Sequence, residues 1–198
     1  MIEIHVKRWH ALFALAFLAM AVQPRALAQT DAEVRAHPGF VDGAVFATAV
    51  NDGAACTEIA IKGPVLRGIS RKLLETAPDA AKALNEIVAI HAVIIEDLAP
   101  TQSSTLRAKA EQVLAKLAGA GWERVARVRE KQELVEILLR YEGDDRVVGL
   151  TIVSTAQSEF SFVNIAGRID VAKLAAIGEA VHLPGLDVVD QQKEGRED

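Results

Sequence analysis

The 198 residues are 51% hydrophobic and 25% charged, with 22 Lys+Arg against 27 Asp+Glu and a net charge of −5. An acidic chain of this kind makes a poor nucleic-acid binder, because attraction to phosphate needs a basic surplus or a local basic patch. A single cysteine, Cys56, excludes an intramolecular disulfide, a cysteine zinc site and a CxxC redox pair.

Lys7 and Arg8 precede an uninterrupted apolar run over residues 11–22, and Gln23-Pro24-Arg25 then leads into Ala26-Leu27-Ala28. That order predicts a secretory signal peptide over residues 1–28, cut after Ala28. Twelve apolar residues rise only about 18 Å as a helix against a hydrocarbon core of roughly 30 Å, which disfavours a permanent span. No cysteine lies near the cut to accept a lipid, and Lys7-Arg8 is not a twin arginine. The mature protein is therefore expected to be periplasmic or secreted, without a lipid anchor. Losing Lys7, Arg8, Arg25 and Glu3 with the leader takes the net charge from −5 to −7. The remaining chain suits one domain burying roughly two thirds of its unfolded surface.

Residues 29–52 read as a polar lead-in segment containing His37-Pro38-Gly39-Phe40-Val41-Asp42. Residues 57–62 alternate as a strand, and Gly63-Pro64 opens a helix with Leu66, Ile69 and Leu73 on one face, ended by Thr76-Ala77-Pro78. Residues 86–96 form the longest later apolar run, rich in β-branched side chains, and predict an interior strand. Leu106, Ala110, Val113, Leu114 and Leu117 give a helix over residues 103–118, closed by Gly119-Ala120-Gly121. Four strands follow, 122–128, 134–141, 147–154 and 160–166, joined by turns short enough for antiparallel neighbours. Asp170 would cap a last helix over residues 171–181, and the acidic tail from 187 to 198 reads as disordered. The order βαβαββββα predicts one α+β domain over residues 53–186: a two-layer sandwich, its mixed or mostly antiparallel sheet of about six strands carrying helices on one face.

The chemistry-bearing residues form no recognised constellation. His37, His91 and His182 lack the i, i+4 spacing of paired metal ligands, and Ser70 precedes Arg71-Lys72 without an acylase motif. Glu96-Asp97 and Asp144-Asp145 read as solvated turns, and Gly63 to Gly68 lacks the lysine of a phosphate loop. No catalytic, cofactor-binding or metal residue is therefore assigned. Asn164, Gly167 and Arg168 form a weak candidate for holding a carboxylate, against the simpler reading of a strand-to-helix turn. If Ile90, Ala92 and Ile94 face the helices, His91, Val93 and Ile95 face away; likewise Val135, Ile137 and Leu139 leave Glu136, Leu138 and Arg140 outward. These six make an interaction-face candidate, unless the lead-in segment or a third layer covers them. Cys56 is expected to be a buried, inert thiol.

His37 to Asp42, Glu58 to Leu66, Gly121-Trp122-Glu123-Arg124 with Val128-Arg129, Gly149-Leu150-Thr151, and Phe162 to Asp170 are similar, in order and spacing, to successive blocks of the bacterial exported family filed as domain of unknown function (DUF) 4252. The resemblance runs over residues 29–187. It implies a Gram-negative envelope protein with no established activity. Many such proteins resemble lipoproteins, and this chain departs from them in lacking the lipid-accepting cysteine. Similar sequences alternate apolar with basic residues in the strand at 90–95, where this chain has His91, Val93 and Ile95. Two function classes follow. One is a noncatalytic module that contacts another envelope protein or a second copy of itself; the other is a small hydrolase or ligand-binding protein whose site is assembled from residues distant in sequence.

Overall fold

The computed structural model describes residues 31–50, 53–130 and 132–170; the signal peptide expected over residues 1–28, the helix expected over 171–181 and the acidic tail lie outside them. Six strands form one sheet: β1 (Ala55–Lys62), β2 (Ile87–Glu96), β3 (Trp122–Glu130), β4 (Glu133–Glu142), β5 (Arg146–Thr155) and β6 (Phe160–Ile169). Their order is β1-β2-β6-β5-β4-β3, and every neighbouring pair is antiparallel. The α+β class and the strands read from the sequence stand; β2 starts one residue later than its apolar pattern and the other five strands run a little longer.

The helices are α1 (Asp31–Arg35), α2 (Ala44–Ala47), α3 (Gly63–Leu73), α4 (Pro78–Asn85) and α5 (Pro100–Gly119). The pattern did not predict α4. Pro78, read as a stop, takes the first turn of a new helix, where its missing N–H costs nothing. Helix α4 buries Ala80, Ala81, Ala83 and Leu84, and the Ser70 hydroxyl donates to the Ala81 carbonyl at 2.8 Å, tying α3 to α4.

Helices α3 and α4 cover one face of the sheet, where Leu66 and Leu84 pack with Ile90, Ile137, Leu150, Val163 and Ile165. The opposite face is covered as well. There Leu106, Ala110 and Leu114, one turn apart along α5, pack with Val93, Ile95, Leu138, Val153, Phe160 and Phe162, and the lead-in segment adds Val41 and Phe46. This second covered face corrects the expectation of helices on one side only. The alternation of inward and outward residues was right, but the outward set is too apolar to face water, and the chain brings α2 and α5 to it.

Candidate functional site

Strand register sets a polar row inside the second face. His91 on β2 pairs with Asn164 on β6, which pairs with Thr151 on β5, so three polar residues stand side by side across three adjacent strands. All three are buried, Asn164 and Thr151 completely. Buried polar groups require partners, and the lead-in segment supplies them. Asn164 Oδ1 accepts from the Val41 N–H at 3.0 Å, while its Nδ2 donates to the carbonyls of Gly39 (3.0 Å) and Leu150 (3.1 Å) and lies 3.1 Å from Thr151 Oγ1. His91 Nδ1 accepts from the Gly43 N–H at 3.1 Å. That contact places the ring proton on Nε2, which donates to Glu58 Oε1 at 3.1 Å.

Residues 39–43 thus form a strap that passes over β5, β6 and β2, with residues 39, 41 and 43 bonded to the polar row beneath. Glycine at 39 is a steric requirement. A Cβ there would lie 1.8 Å from the Val148 carbonyl oxygen, and one on Gly149 would meet Gly39 Cα at 2.6 Å. The strap continues into α2, whose Phe46 packs at 4.8 Å from the Phe160 ring and 5.1 Å from Phe162.

Beside the strap lies a cavity of about 180 Å³ between α1, β1 and β2, walled by His91, Glu58, Asp42, Arg35, Lys62 and Asp31 together with Phe40 and Ala60. Two of its carboxylates are paired with cations, and the third, Glu58, is hydrogen-bonded to His91. Arg35 holds Asp42 at 2.5 Å, Lys62 pairs with Asp31, and Glu58 accepts a hydrogen bond from His91 Nε2–H. Burial opposes ionisation of Asp42. The Ala44 N–H, the Arg35 guanidinium and nearby His91 outweigh it, so the carboxyl sits below the usual carboxylate range. Asp31 is likewise lowered, by the hydrogen bond and charge of Lys62. A carboxylate beside an imidazole is the arrangement of a general base, but here both ring nitrogens are engaged and the ring lies near Phe40 and Phe162. The pair ties β1, β2 and the start of α2 together. A second, wider groove of about 650 Å³ runs between Ser103, Arg107 and Glu111 of α5 and the β3–β4 end at Arg129 and Leu134.

The residues singled out from sequence fall into place unevenly. His91, Val93, Ile95, Glu136 and Leu138 are buried, so they form no exposed face; Arg140 is half-buried and donates to the Gly121 carbonyl at 2.7 Å. Buried Glu136 is held by Arg124 at 2.9 Å and Arg127 at 3.5 Å across the β3 edge. The Arg124 contact is a close ion pair without the alignment of a hydrogen bond, since the same Oε1 has no hydrogen-bond partner. Asn164, Gly167 and Arg168 do not converge. Strand β6 continues to Ile169, so Gly167 is a bulge residue at φ +142° packed on Glu86, and Arg168 is exposed with its N–H donating to the Glu86 carbonyl. Cys56 is exposed on β1 rather than buried. Among the described residues no three His, Cys, Asp or Glu side chains are grouped to hold a metal. Glu58, Asp42 and Thr151 were missed. The one available signal was Gly39-x-Val41-x-Gly43, a period-two pattern with glycines where backbone meets backbone.

Residues 51–177 match the family described as "Domain of unknown function (DUF4252)", and the chain belongs to that family. The matched span covers all six strands and α3 to α5. Neither the curated proteins nor the solved structures searched give a match. Among the described residues no helix is long and apolar enough to cross a membrane.

Proposed function

We propose that the chain is an exported envelope protein that works by contact with another protein and performs no chemistry of its own. The observation that carries this reading is the inequality of the two sheet edges. Strand β3 carries Glu123, Arg124, Arg127, Arg129 and Glu130 and a register shift between Arg124 and Ala126, devices that discourage strand addition. Strand β1 has only Glu58 and Lys62 as charges, pairs with β2 without a shift, and leaves residues 55–58 and Ala60 exposed. Such an edge offers a row of backbone donors and acceptors to an added strand. The polar row inside the second face supports the same reading, because its hydrogen bonds hold the protein's own strap. The export half of the proposal rests on the leader pattern of residues 1–28.

Both halves are testable in the native host. Mass spectrometry of the periplasmic or released fraction should find a mature N-terminus at Gln29; an uncleaved chain retained in the cytoplasm would overturn export. A photo-crosslinking residue at position 57 or 60 should give a protein adduct, while the same residue at position 125 on β3 should give none. Equal adduct yields from the two edges would overturn the contact reading.

A further inference from the structure

We infer that the partner of the β1 edge is a second copy of this chain, joined antiparallel about a two-fold axis at Ala60. The inference rests on the contact reading above and names its partner. A two-fold axis normal to the sheet must pass a residue of β1, because directly opposed antiparallel side chains share a face. With Ala60 on the axis, Glu58 of each copy faces Lys62 of the other, and Ile59 faces Ile61. Both charges are matched twice over and the apolar pairs lie on the α3 side, where Ile59 and Ile61 already pack. Moving the axis to Ile59 puts Glu58 opposite Ala60 and loses every charge pair. The strand is therefore self-complementary in one register.

The groups needed are accessible. The Glu58 side chain is 47% exposed and that of Lys62 36%, even with their contacts to His91 and Asp31. The same axis brings the two α3 helices to one face beside the seam, since α3 packs on the β1 side of the sheet. Val65 of α3 and Leu74 at its C-terminal cap are two of the three large apolar side chains exposed among the described residues. They add apolar area that strand pairing alone lacks. The joined sheet would run through twelve strands with both outer edges formed by charged, bulged β3. Cys56 then lies four residues from the axis in each copy, about 27 Å from its counterpart at strand rise, so the dimer is noncovalent.

The test uses protein purified after expression of the full chain. Sedimentation at micromolar concentration should show a dimer. Glu58→Lys alone and Lys62→Glu alone should each weaken it about tenfold or more, because each places like charges opposite one another. The double change Glu58→Lys with Lys62→Glu should restore dimerisation, and a mixture of the two single variants should give a heterodimer. Neither restoration follows if the single changes act by disturbing the internal contacts to His91 and Asp31, which the double change also removes. Independently, Ala60→Cys in a Cys56→Ser background should form a disulfide dimer under oxidation, since opposed Cα atoms lie within disulfide range. A chain that stays monomeric, with residue 60 still crosslinking to a different envelope protein, overturns self-pairing and leaves the contact reading standing. A monomer that crosslinks to nothing overturns both.

Discussion

Asn164 joins three segments that the sequence keeps far apart: the strap at Gly39 and Val41, its own strand, and β5 at Leu150 and Thr151. Its replacement by Ala leaves a buried N–H and a buried carbonyl unpaired, each costing about 1–3 kcal/mol. We expect Asn164→Ala to lower stability by about 3 kcal/mol in denaturant titration and to open residues 31–50 to proteolysis before the sheet unfolds. Val93 and Leu138 are 0% and 1% exposed. Replacing both by Ser should cost at least about 4 kcal/mol, from lost apolar burial and a hydroxyl set among hydrocarbon. A loss below about 1 kcal/mol would mean that the second face opens in solution. At this scale the sequence was informative about identity and silent about surroundings. The alternation Ile90, Ala92, Ile94 against His91, Val93, Ile95 assigned every side chain of that stretch to its correct face. What covers a face depends on contacts between β2 and residues some fifty positions away, which no local period records.

The strap carries a group whose shifted titration ties it to pH. Asp42 sits within it, its Oδ1 accepting from the Ala44 N–H and its Oδ2 holding Arg35. Because the folded chain lowers this carboxyl below its ordinary value of 3.8, it binds protons less readily folded than unfolded. Its contribution is fully present above the unfolded value and is lost as pH falls through the lower folded one. Protection of residues 40–50 against hydrogen exchange, taken relative to the intrinsic rate at each pH, should therefore fall below about pH 4, and Asp42→Asn should remove that part of the acid response. Other elements were legible to different degrees. Helix α3 was plain from Gly63-Pro64 and the spacing of Leu66, Ile69 and Leu73, and α5 from its longer repeat. Helix α4 was hidden because a proline after Thr76-Ala77 signals a stop and a start equally well, and its small alanines give little periodic contrast. The strap shows only the short period of Gly39, Val41 and Gly43, too brief to read as a strand. Only its paired glycines, spaced to let backbone lie on backbone, marked it as more than a linker.

For the molecule as a whole, strand order matters more than strand count. Strands β3 to β6 are sequential neighbours, but β2 lies against β6, pairing Ile95 with Phe160 and Ile87 with Gly167. The middle seam of the sheet thus closes between early and late parts of the chain. Local hairpins can form as the chain is made, whereas β1, α3, α4 and β2 have no docking surface until the last strand is complete. Until residues 97–169 are in place, the apolar run of β2 lacks its partner β6 and one side of its sheet pairing. A chain stopped after Gln157 would carry two half-sheets, each with a bare apolar edge where β6 belongs, and should accumulate as insoluble material. Supplying residues 158–170 as a separate peptide should recover some soluble protein, because among the described strands the missing one alone joins the two halves of the sheet. Strand β6 is thus the late step on which assembly waits, and substitutions that delay its docking should reduce yield more than they reduce the stability of molecules that have finished folding.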